Sequence, residues 1–124
     1  MRKRLARKKG HVLVTFEVDE AVGADKVHLC GEFNHWSQST HLMDKAKGGG
    51  WQLDLELPAG TTYRFRYLLD DERWENDWAA DDYVPNAFGG DDSVVDLTVL
   101  DGEPLAPPPS PRKRSSKKKD DKES

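Results

Sequence analysis

The chain has one cysteine, few basic residues between its ends, no sustained helical period and no long apolar run. Each shortage excludes something. Cys30 is the single cysteine among 124 residues, so no intramolecular disulfide can staple the fold. An unstapled domain with its thiol in the middle of an apolar strand suits a reducing compartment, and the cytoplasm is expected. The first nine residues are basic, but the apolar run behind them, His11 to Val18, is short and holds Glu17. That is not the core of a signal peptide, and a membrane span needs about 20 apolar residues.

Basic charge is scarce where a core can form. Residues 1–9 carry six Lys and Arg with no acid, and residues 101–124 carry seven against five Asp and Glu. Of 19 basic and 23 acidic residues, this leaves six and 18 between the ends, so a net charge of −4 hides an acidic domain. Such a surface repels phosphates, and no nucleic-acid or membrane partner is expected. The apolar fraction is only 35%, yet all four Trp, three Tyr and four Phe lie between residues 11 and 100. There is material for one core and one domain.

The pattern of that segment is period two. Val12, Val14, Phe16 and Val18 alternate with His11, Leu13, Thr15 and Glu17. Lys26 to Glu32 places Val27, Leu29 and Gly31 on one face, His28 and Cys30 on the other. Trp51, Leu53, Leu55 and Leu57 face inward against Gln52, Asp54 and Glu56, and Pro58-Ala59-Gly60 turns the chain. Tyr63, Phe65, Tyr67 and Leu69 then face the core, with Arg64, Arg66 and Leu68 outward. A short return strand holds Arg73 and Trp74, and after an irregular stretch a last strand covers Ser93 to Leu100. About seven short strands predict an all-β, immunoglobulin-like β-sandwich over residues 11–100. Residues 1–10 are expected as a basic tail. Residues 101–124, rich in Pro, Lys and Ser, are expected as a disordered tail in which Ser110 is plain linker. Residues 10–102 are expected to fold and bind unaided.

No catalytic constellation emerges. His11, His28, His35, His41 and Cys30 match no metal-ligand spacing, and neither a metal nor a cofactor is expected. Asp70, Asp71, Glu72 and Asp91, Asp92 are consecutive acids, which form turns more readily than the separated pair of a glycosidase. Mid-strand, Cys30 is a packed thiol. The chain is not expected to be an enzyme.

The aromatics say more. Trp51 belongs to an inward alternation. Trp36 stands in a polar loop beside Asn34, His35 and Ser37, while Trp74 and Trp78 sit in the charged run Glu72 to Trp78. Indoles left among amides and charges expose a large apolar face that wants a ligand. A pyranose offers an apolar C–H face for stacking and a hydroxyl rim for hydrogen bonds. Register decides whether Trp74 is available. A three-residue loop of Asp70, Asp71 and Glu72 pairs Leu68 with Trp74 and puts the indole outside near Arg66, whereas a two-residue loop buries it. The outer placement is expected.

Three strings, Val27 to Ser37, Gly49 to Trp78 and Tyr83 to Leu97, resemble the isoamylase early-set type of glycogen-binding module. That type opens glycogen branching and debranching enzymes and forms part of the AMP-activated protein kinase β subunit. The shared pattern is G-x-F-N-x-W, G-x-W, L-P-x-G, Y-x-F-R-Y and W-x-N-D, and the chain is similar to short bacterial proteins made of this module alone. The resemblance implies binding of an α-glucan such as glycogen, with Trp36 and Trp74 stacking on sugar. By the same resemblance Arg66, Phe88 and Asp92 complete the site. Asp92 replaces the family's usual Asn, keeping the acceptor and losing the donor. Asp70-Asp71 replaces the usual Asp-Gly turn. Two other readings stand beside this one. The chain is alternatively an adaptor that docks on a glycogen-metabolising enzyme or kinase without binding sugar, or an enzyme's accessory domain acting in trans.

Overall fold

The computed structural model describes residues 1–108. Their strands, in chain order, are β1 (Arg2–Leu5), β2 (His11–Val18), β3 (Val27–Gly31), β4 (Asp44–Lys45), β5 (Trp51–Pro58) and β6 (Thr62–Leu69). There follow β7 (Arg73–Glu75), β8 (Asp82–Pro85), β9 (Asp91–Asp96), β10 (Val99–Leu100) and β11 (Glu103–Pro104). One sheet runs β1-β2-β5-β4 and the other β3-β6-β9-β8, with β7 paired to the free end of β6. Read as A to G, β1 to β6 and β9 give the orders ABED and CFG of the seven-stranded immunoglobulin sandwich. The strands β7 and β8 are inserted between F and G.

The alternating runs behave as expected. Val12, Val14 and Phe16 from one sheet, with Leu29, Phe65, Tyr67 and Val95 from the other, share a single core. Phe16 meets Phe65 edge to face at 5.1 Å between ring centroids, which locks the two layers together. Trp51 is 5% exposed and belongs to that core. Cys30 is fully buried, and burial pushes its thiol up to about 11.

The ends differ from expectation. The basic N-terminal segment is strand A of the sandwich: Arg2 pairs with Thr15, Lys3 with Val14, Arg4 with Leu13 and Leu5 with Val12. Met1 packs on the core, while Lys3, on the inward side, reaches Asp81 Oδ2 at 2.7 Å. Cationic side chains hid this strand from pattern reading, yet they suit a sheet edge, where they discourage pairing with another chain. At the other end β10 and β11 form a ribbon turned at Asp101-Gly102, and Leu105 packs on the core. A side chain at Gly10 or Gly60 would collide with Pro108 or Pro107, so the Pro-rich segment lies against those two turns. Neither end is a plain tail up to residue 108. The expected disorder beyond it, Ser110 included, lies outside the described residues.

Candidate functional site

Two loops, each organised by one asparagine, flank the outer face of the β3-β6-β9 sheet. In the first, Asn34 Oδ1 accepts from the Gly31 and Ser37 amides at 3.0 and 3.2 Å. Its Nδ2 donates to the Leu29 carbonyl at 2.9 Å and to His41 Nδ1 at 2.8 Å. The loop so fixed holds His35 and Trp36 at φ of 56° and 58°, with the Trp36 amide donating to the Gly31 carbonyl at 2.8 Å. Left-handed backbone at two non-glycine residues persists only where the surroundings over-determine it. A Cβ at Gly31 would fall within 2.7 Å of the Arg64 carbonyl, which explains the glycine that begins the motif. Phe33 turns inward onto Phe16 at 5.6 Å.

In the second loop, Asn86 Oδ1 accepts from the Phe88 and Gly90 amides at 2.9 and 3.2 Å. Its Nδ2 donates to Asp92 Oδ1 at 3.1 Å, and its own amide donates to the Gly90 carbonyl at 2.8 Å. Phe88 is thereby held at the loop's tip, 94% exposed, and Asp92 beneath it is 6% exposed. The other Asp92 oxygen faces Arg64 Nη1 at 3.8 Å, so the carboxylate sits between an amide donor and a cation.

The turn between β6 and β7 sets the position of Trp74. Leu69 pairs with Arg73 and Leu68 with Trp74, the register of a three-residue loop. Both Asp70 and Asp71 are left-handed, at φ of 53° and 61°. Asp70 Oδ1 compensates by accepting from the Asp25 and Lys26 amides at 2.8 and 3.0 Å, while Asp71 pairs with Lys26 Nζ at 2.5 Å. Those amide bonds, Lys26's foremost, hold the Asp70 carboxyl below the ordinary aspartate range. Trp74 therefore lies on the outer face, 38% exposed, with the Arg66 guanidinium 5.7 Å from its ring centroid. Among the described residues the Arg66 Nε finds no acceptor.

Trp36, Arg66, Trp74, Phe88 and Asp92 all line one open cleft of about 700 Å³. Glu32, Arg64, Asn86 and Ala87 complete it. Arg64 was legible as the outward neighbour of Arg66, two residues away on the same face, and Asn86 as the start of a glycine-rich turn. Glu32, whose Oε1 accepts from the Arg64 amide at 2.8 Å, carried no signal. Trp78 lies elsewhere.

The W-x-N-D string also has a structural reason. Tyr67 Oη donates to Asp77 Oδ2 at 2.7 Å, and the Asp77 amide donates to Ser93 Oγ at 2.9 Å. Asn76 accepts from Ser93 Oγ at 2.9 Å and donates to the Asp91 carbonyl at 2.9 Å. Asn76 and Asp77 tie the segment after Trp74 to β6 and β9. Burial and the adjacent carboxylate push the Tyr67 hydroxyl well above its ordinary value.

Among the described residues no helix is long and apolar enough to cross a membrane. Residues 12–100 match the family described as the glycogen recognition site of AMP-activated protein kinase. The chain is also similar to the SNF1 protein kinase subunit beta-2 of Saccharomyces cerevisiae, 30% identical over 80 residues. That match spans 64% of this chain and only 18% of the yeast protein. With most of its length matched, the chain belongs to the family of glycogen-recognition modules.

Proposed function

We propose that the cleft binds an α-glucan without catalysis, by stacking sugar rings on Trp36 and Trp74. Arg66 and Asp92 hydrogen-bond the hydroxyl rim, and Phe88 closes over the chain from its loop. The observation that carries this reading is the convergence of three solvent-accessible aromatic side chains with a guanidinium and a carboxylate on one cleft. Covering roughly 50–100 Å² of apolar surface at about 25 cal/mol/Å² stabilises each stack by ~1–2.5 kcal/mol. Two stacks, less the cost of association, correspond to dissociation constants of roughly micromolar to millimolar. Weak single sites suit a polymer that offers the same epitope many times. A buried, unpaired Cys30 fits a cytoplasmic setting.

The test is titration with a soluble maltooligosaccharide while Trp fluorescence is followed. Quenching that is reduced in Trp36→Ala and in Trp74→Ala supports the reading; no change at millimolar sugar would overturn it. The name of the yeast relative favours a second reading, in which the chain also meets a protein kinase or a glycogen enzyme and brings it to the polymer.

A further inference from the structure

Trp78 takes no part in the first cleft. It is 59% exposed, and its one polar atom is already used, because Nε1 donates to Glu75 Oε2 at 2.8 Å. What remains for a ligand is a ring held in a fixed orientation. It borders a separate hollow of about 310 Å³ shared with Trp51, Tyr67, Glu17, Gln52 and Asp77. The two hollows have no residue in common. Asp77, bonded to Tyr67, and Asn76, bonded to Ser93, brace the segment that carries Trp78, so the hollow is built on the fold rather than on a loose loop.

The lining identifies the ligand class. Carboxylates of Glu17, Asp19 and Asp77 stand around it, and the Met1 ammonium in the same lining is already paired with Glu17 Oε1 at 3.3 Å, so the lining stays net negative and disfavours phosphates and other anions. The exposed Trp78 ring asks for an apolar face, while Glu17, Asp19 and Gln52 offer acceptors to hydroxyl donors. A neutral sugar meets both demands. The volume is at the low end for a small-molecule site, of about 300–1,000 Å³, and admits one or two rings rather than a long chain.

We propose that the Trp78 hollow is a second sugar subsite, which takes a short stretch of the same α-glucan polymer. The proposal rests on the α-glucan reading of the first cleft. The segment from Trp74 to Trp78 would present one indole to each subsite, so two weak contacts act on one polymer. Linked weak sites raise retention on a polymer well beyond either alone.

The experiment follows the indole N–H signals of the four tryptophans in the full ¹⁵N-labelled chain, assigned by single Trp→Phe variants, during titration with maltoheptaose. The Trp36 and Trp74 signals are expected to move together, and the Trp78 signal with a separate, weaker midpoint. The Trp78 shift is expected to survive in a Trp36→Ala, Trp74→Ala double variant. If Trp36 and Trp74 move to saturation while Trp78 stays fixed, the second subsite is wrong and the first reading stands. If no indole moves, the first reading fails and takes this one with it. As an independent readout, Trp78→Ala should leave the Trp36 and Trp74 titration and the melting temperature unchanged. It should weaken retention on glycogen by about tenfold or more. Unchanged retention contradicts the proposal.

Discussion

Trp36 lines the cleft while Trp51 fills the core, and substitution separates the two. Trp51 fills the core at 5% exposure, so Trp51→Ala should cost roughly 3–5 kcal/mol of stability in a denaturant melt. Trp36→Ala and Trp74→Ala should instead weaken maltooligosaccharide binding by roughly 1–2.5 kcal/mol each in calorimetry, with little change in melting temperature. Unfolding of Trp36→Ala would remove Trp36 from the site. Cys30 supplies a different check. A thiol pushed up to about 11 is protonated at neutral pH and inaccessible as well. Thiol reagents should leave it unmodified in the native protein and label it once denaturant is added. At this scale the sequence was partly legible. Indoles among polar neighbours marked Trp36 and Trp74, because neither belongs to an inward-facing apolar alternation. Asn34 was not recognisable as the residue that builds its loop, since it ties the Leu29 carbonyl to His41, positions that only the folded backbone brings together.

Among the elements, the β6–β7 turn decides what the site contains, and an acid turn should leave a signature in pH. The Asp70 carboxyl is held below the ordinary aspartate range by the Lys26 and Asp25 amides. Its charged form therefore contributes stability above the unfolded value, ~3.9, and that contribution is lost as pH falls through the lower folded value. Compared with Asp70→Asn, the native chain should be more stable at neutral pH, with the difference shrinking below pH ~4 in urea melts. A difference that grows on acidification would contradict the turn chemistry. Strand β1 gives the other test. Deleting residues 1–9 removes strand A and the packing of Met1, so it should cost about 2–3 kcal/mol of stability. Maltooligosaccharide affinity should be kept, because the cleft belongs to the opposite sheet. The strands β2, β5 and β6 were plain in the sequence because each buries alternate apolar residues. The strands β1 and β8 were not, because short edge strands reading Arg-Lys-Arg-Leu and Asp-Tyr-Val-Pro carry no apolar alternation to announce them.

For the molecule as a whole, the two-sheet architecture followed from alternation and turn spacing. The ABED and CFG orders needed the structure, since strand A is basic and two extra strands interrupt the run from F to G. The cleft is made where chain segments far apart in sequence converge, near residues 36, 66, 74, 88 and 92, and only the family pattern pointed to that convergence. An acidic domain binding a neutral polymer by stacking and short hydrogen bonds should be insensitive to salt, unlike a polyanion contact through the basic ends. The most direct test is co-sedimentation of the full chain with glycogen, amylose and cellulose at low and high salt. The expected result is protein in the pellet with glycogen and amylose at both salt levels, and in the supernatant with cellulose. Protein wholly in the supernatant with every α-glucan, or pelleted only at low salt, would contradict α-glucan binding through the Trp36–Trp74 cleft.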